Sequence, residues 1–223
     1  MSLFLNIKSK NTNCINGCKI FYDDSTFSYW ENRKTTSDEL KIVNYLLLKK
    51  NYIKKKILHV GVGNSHVANE LNNYSCIDGV TISMKEVQKA NSFNLKNYNL
   101  FLENKLSDDI FFMKKLNYYD IIIDTNLKSY SCCQYAFDNL MKIYSSILDI
   151  NGFIISSFNG MNWSRIIKPI YSFSLSKLFY KRLKEFDGPS SNILTVDECK
   201  KICSDNNLEL TYFEDLIVLF TKK

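Results

Sequence analysis

Residues Lys54 to Leu71 read KKKILHVGVGNSHVANEL, and the order of residue types in this stretch decides the fold. Ile57-Leu58-His59-Val60 is a short apolar run of the kind that forms a buried strand. Gly61-Val62-Gly63 ends it. Glycines turn a chain tightly and let a ligand approach the backbone. Val67, Ala68 and Leu71 then recur on one helical face. A strand, a glycine turn and a helix, in that order, is the context in which a G-x-G sequence points to a bound nucleotide-like ligand.

The alternation continues downstream. Cys76 to Ile82 predicts a second strand, and Ser83-Met84-Lys85-Glu86 reads as a capping box opening a helix that buries Val87 and Ala90. Asn99 to Leu102 is a weaker third strand. Asp120 to Asp124, with Ile121, Ile122 and Ile123 between two acids, is the strongest strand signal. Phe137, Leu140, Tyr144 and Ile147 mark a long helix that Asn151-Gly152 is expected to end, and Phe153-Ile154-Ile155 is a fifth strand. Strands alternating with helices imply βαβ units, a parallel sheet and helices on both faces. Right-handed crossovers restrict such units to doubly wound folds.

The chain ends differently. Thr195-Val196-Asp197-Glu198 caps a helix carrying Cys199, Ile202 and Cys203. Two apolar runs, Leu208–Phe213 and Leu216–Phe220, are then separated by only Glu214-Asp215. Two residues cannot form a parallel crossover, so the pair is read as an antiparallel hairpin, with an edge strand near Leu216–Phe220. The expected fold class is therefore α/β: a Rossmann-like, doubly wound, mostly parallel sheet with a C-terminal antiparallel hairpin. Residues 1–53 read as a helical and irregular N-terminal extension over the cofactor site, with Thr36 and Glu39 opening a helix. Residues 54–223 read as the Rossmann-like domain, with an insertion at 158–194.

Composition narrows the class. The chain has 223 residues, 45% of them hydrophobic, which suits one large globular domain. A net charge of +6 is mild and lacks the dense basic stripe of a nucleic-acid binder, so no nucleic-acid partner is expected. No run approaches 18 apolar residues and no export pattern opens the chain, so a cytoplasmic location with reduced cysteines is expected. The cysteines lack zinc-knuckle spacing, and no metal site is expected. Residues 163–186 combine Trp163, Tyr171 and Phe173 with Arg165, Lys177 and Lys181. This pattern suits a packed helix with a basic face, a lid over an acceptor, or peripheral contact with a membrane.

Lys54 to Ala90 resembles the first two motifs of class I S-adenosylmethionine-dependent methyltransferases. Phe27-Ser28-Tyr29-Trp30 and Gly79-Val80-Thr81-Ile82-Ser83 resemble, more narrowly, the cyclopropane-fatty-acid-synthase-like branch. The resemblance covers about residues 20–157 and implies S-adenosylmethionine as cofactor. It implies cofactor contacts from Ser28, from His59, Gly61, Gly63 and Asn64 of the glycine turn, and from Thr81, Ile82 and Ser83 after the second strand. Asn104 is expected near the adenine, and Asp124 and Asn126 near the amino-acid end, an ordinary turn being the other reading of that pair. His59 stands where the family usually carries an acid, and Thr81 where an acid usually meets the ribose. The Glu and His that follow the fourth strand in cyclopropane synthases are absent, so cyclopropanation is not expected.

A nicotinamide-binding fingerprint would place a third glycine at His66, whose bulk opposes close approach of a pyrophosphate. No catalytic acid–base or nucleophile constellation stands out. Methyl transfer needs none, because a sulfonium is already activated and alignment supplies much of the catalysis. The expected activity is methyl transfer to a small-molecule, lipid or cell-surface-precursor acceptor. The alternative is a cofactor-fold protein that has lost catalysis and serves as a binding or regulatory subunit.

Overall fold

The computed structural model describes residues 24, 27, 31, 34–106, 112, 114–128, 134–162 and 192–223. Seven strands form one sheet: β1 (Lys56–Val60), β2 (Cys76–Thr81), β3 (Tyr98–Leu102), β4 (Tyr119–Ile123), β5 (Leu148–Ser157), β6 (Leu208–Glu214) and β7 (Ile217–Lys222). Their spatial order is β3-β2-β1-β4-β5-β7-β6. The first five pair in parallel, and β7 runs antiparallel to both β5 and β6. The expected hairpin is present, with one correction: β7 lies inside the sheet and β6 forms its edge. The turn is Asp215-Leu216, both left-handed at φ 52° and 71°, as a two-residue hairpin loop requires.

Among the described residues, five helices flank the sheet: α1 (Ser37–Lys49), α2 (His66–Leu71), α3 (Met84–Asn91), α4 (Gln134–Ile147) and α5 (Val196–Asn206). Strand alternation sends Ile57, Ile121, Ile123 and Ile155 to one face, where they meet Ile42 and Leu46 of α1 and Leu71 of α2. Leu58, Ile122 and Ile154 point to the other face, against Leu140 and Tyr144 of α4 and Cys199 of α5. Residues of the N-terminal extension thus belong to the same core as the strands.

Local chemistry explains the boundaries. Thr36 and Thr195 both form complete capping boxes, with Glu39 and Glu198 respectively. The fifth strand begins earlier than its sequence indicated. Helix α4 ends at Ile147, and β5 starts at Leu148, before Asn151-Gly152. The left-handed Asn151 (φ 62°) and Gly152 form an irregularity inside β5, where the pairing with β4 shifts register. A side chain at Gly152 would meet the carbonyl oxygens of Asp120 and Asp149, each at 2.9 Å. The two ends of the insertion touch, since the Leu194 amide donates to the Phe158 carbonyl at 2.8 Å. Residues 163–191 and Ser28 lie outside the described residues.

Candidate functional site

Parallel strands bring their carboxyl ends together, and ligands of doubly wound sheets bind where the strand order reverses. Here that point lies between β1 and β4. The segments leaving β1, β2, β3 and β4 carry Gly61 to Asn64, Ile82-Ser83, Asn104-Lys105 and Asp124 to Asn126.

Gly61 adopts φ 80°, and its amide closes the turn on the Val80 carbonyl at 2.9 Å. An added Cβ there would meet nothing within 4 Å. This glycine therefore does more than make a turn, because it leaves open space beside exposed backbone at the switch point. Gly63 is buried at φ 52°, with its amide turned inward. Asn64 fastens the turn to the chain before α1, its Nδ2 donating to Thr35 Oγ1 at 3.0 Å, and accepts from the His66 amide at 3.1 Å.

Glu86 was read from sequence only as a capping partner. Half of that box forms, the Glu86 amide donating to Ser83 Oγ at 3.2 Å. The carboxylate goes elsewhere: its Oε2 accepts from Thr81 Oγ1 at 2.6 Å and from the Gly63 amide at 3.1 Å. Glu86 is 3% exposed. Burial pushes its carboxyl above the usual range, the bonds from Thr81 and Gly63 pull it back, and the nearby Asp24 and Glu39 raise it further. A buried carboxylate thus stands at the end of β2, brought there from the first turn of α3, five residues after Thr81. Thr81 and Ser83 are its supports. Thr81 Oγ1 also accepts from the Ser83 amide at 3.2 Å, and Ser83 Oγ donates to Asp24 Oδ1 at 2.8 Å. Ile82 is half-buried between them.

His59 is 2% exposed in β1, and its Nδ1 has no hydrogen-bond partner among the described residues. Burial lowers its pKa to about 4, so the imidazole is neutral at physiological pH. Asn104 is buried and braces its own loop, Oδ1 accepting from the Leu106 amide at 2.9 Å.

The loop after β4 is held by a residue that no motif signalled. Lys105 Nζ reaches Asp124 Oδ2 at 2.8 Å and the carbonyls of Asn126 and Leu127 at 3.0 and 3.1 Å, all buried. Tyr144 on α4 donates to the same Asp124 oxygen at 2.9 Å, and Asp124 Oδ1 accepts from the Asn126 amide at 3.3 Å. Both Asp124 oxygens are therefore engaged by the protein. Asn126 is 7% exposed, yet neither its Oδ1 nor its Nδ2 has a partner among the described residues. A buried carboxamide left unpaired costs about 1–3 kcal/mol, which a polar ligand would offset.

No family model and no curated protein matches the sequence. Solved structures do match the fold. Magnesium protoporphyrin IX methyltransferase (ChlM) from Synechocystis PCC 6803, with bound S-adenosylhomocysteine, superposes with a TM-score of 0.62 at 16% identity, covering 91% of this chain and 96% of that one. An S-adenosylmethionine-dependent methyltransferase from Methanosarcina mazei gives 0.56 at 14% identity, covering 78% and 96%. The CurJ carbon methyltransferase gives 0.54 at 13% identity; the match covers 82% of this chain and 53% of that chain, about half its length. The chain has the class I methyltransferase fold.

Proposed function

We propose that this protein is an S-adenosylmethionine-dependent methyltransferase acting on a small-molecule, lipid or cell-surface-precursor acceptor in the cytoplasm. The observation that carries the reading is the open space over Gly61, at a switch point beside which the buried Asn126 carboxamide has no partner among the described residues. When bound, the cofactor would supply an activated methyl group on its sulfonium. Gly61 and Gly63 would admit it to the backbone. The carboxylate of Glu86, crowded by other acids, suits the two hydroxyl donors of a ribose, and Thr81 and Gly63 hold that carboxylate in place. Asn126 offers a donor and an acceptor to the amino-acid end, in a loop that Lys105 fixes. His59 would place a neutral, buried imidazole where the family resemblance leads to an acid. We place the chain nearest the cyclopropane-fatty-acid-synthase-like branch, on the strength of Gly79, Thr81 and Ser83. Ser28 would complete the cofactor set, and residues 163–186 would cover the acceptor or touch a membrane.

Incubating the protein with methyl-labelled S-adenosylmethionine and fractionated metabolite and lipid extracts tests the reaction. Label is expected in one acceptor class, and none with the Gly63→Val protein. Saturable cofactor binding without label in any fraction would instead support the non-catalytic binding role.

A further inference from the structure

We infer that the end of the molecule opposite the proposed cofactor site docks on an anionic membrane surface. The parallel strands set their amino ends together there, and lysines converge on it from separate parts of the sequence. Five of the eight residues at 49–56 are lysines, and none is acidic. Lys96 precedes β3, Lys114 and Lys115 precede β4, and Lys222 with Lys223 ends β7.

The loops form one continuous surface. The Lys54 amide donates to the Tyr74 carbonyl at 2.6 Å, and Lys222 Nζ donates to Asn117 Oδ1 at 2.8 Å. Between them, Lys56 and Lys115 each place Nζ 4.2 Å from the centre of the Tyr118 ring. Three acids at this end are each matched by one lysine, while Glu70, in the last turn of α2, stands exposed. Asp120 pairs with Lys55 at 2.7 Å, Asp78 with Lys115 at 3.3 Å, and Asp149 lies beside Lys222. Asp205 and Glu209 stand toward the β6 edge. Lys49, Lys50, Lys54, Lys56, Lys96 and Lys114 remain exposed. Among the described residues of the site end, Asp24, Asp38, Glu39 and Glu86 gather, with Lys85 beside Asp24, while Lys105 and Lys128 are held by Asp124 and Glu198.

Helix C-termini attract lysines, which accounts for Lys49 and Lys50 but not for lysines that open strands or end β7. Large apolar side chains stand among the charges: Ile53 at 40% exposure, Tyr74 at 56%, Leu116 at 62% and Ile150 at 66%. Lysines alone would suit any polyanion. Exposed aliphatic side chains between them suit a lipid surface, where the charges meet headgroups and the apolar tips enter the acyl boundary. Docked this way, the site faces away from the bilayer by roughly the length of a five-residue strand, ~17 Å. A small-molecule acceptor would then reach the site from the aqueous side.

Vesicle co-sedimentation of the intact protein tests this, comparing phosphatidylcholine with phosphatidylcholine–phosphatidylglycerol mixtures at low salt. Binding to the anionic vesicles alone is expected. At about fivefold per lysine, exchanging Lys56, Lys96 and Lys114 for Gln weakens it about a hundredfold. Ile53→Ser with Leu116→Ser weakens it about tenfold. Circular dichroism and S-adenosylhomocysteine affinity stay at wild-type values in both variants, which separates this inference from the proposed function. Equal partition onto both vesicle types, or full binding by the triple variant, overturns it. Unchanged binding by the Ser variant, or tighter binding to a charge-matched oligonucleotide than to the anionic vesicles, overturns the bilayer as occupant.

Discussion

Glu86 and His59 are buried titratable groups with opposite consequences. The Glu86 carboxyl is raised by burial, so its ionised form costs stability at neutral pH, and the stability it contributes is lost as pH rises through its folded value. Glu86→Gln should therefore melt no lower than wild type at pH 7. Its affinity for S-adenosylhomocysteine should fall about tenfold, because a charged hydrogen bond of about 1.5–3 kcal/mol becomes a neutral one of about 1 kcal/mol. Paired thermal and calorimetric measurements check both signs. His59 runs the other way. With a folded pKa of about 4, it binds its proton only when unfolded, over the window from 6.5 down to 4. The stability it contributes is full above pH 6.5 and lost as pH falls through that window. Urea titrations at pH 6.5 and 4.5 should show wild type losing about 2 kcal/mol more than His59→Leu. Neither role was fully legible in the sequence. His59 was visibly out of pattern, but Glu86 satisfied a familiar capping motif and so concealed its second use.

The element that orders the proposed site is the loop after β4, and its brace is assembled from three places in the chain. Lys105 follows β3, Asp124 follows β4 and Tyr144 lies in α4. Removing one partner of a buried pair leaves the other charge without compensation, at a cost of about 3–5 kcal/mol. Lys105→Met should lose that much in a denaturant titration, whereas Lys105→Met combined with Asp124→Asn should lose distinctly less. The strands themselves were legible, because apolar runs bounded by glycines and acids leave few alternatives. Two boundaries were not. Asn151-Gly152 carries the composition of a helix stop, yet tertiary pairing with β4 absorbs it into β5 as an irregularity. The hairpin turn moved by one residue because Leu216, a poor left-handed residue by propensity, is placed there by the pairing of Ile217 with Glu214.

At the scale of the molecule, lysines from separate parts of the sequence meet at one end, because a parallel sheet collects its strand starts there. That gathering cannot be read from net charge or from a linear charge plot. The fold class, by contrast, followed from one glycine turn and one impossible crossover, and the sheet order confirms both. Likeness to methyltransferases at 16% identity or less in the structures compared carries the architecture. The cofactor pocket must therefore be tested on this chain. Calorimetric titration with S-adenosylhomocysteine, with NAD as comparison and Gly61→Val as control, does so most directly. A saturable one-to-one isotherm with S-adenosylhomocysteine is predicted, absent with NAD and lost in the variant, whose side chain would fill the open space over the turn. Absence of heat with S-adenosylhomocysteine from the folded wild-type protein, or binding that survives in a folded Gly61→Val protein, would contradict the account.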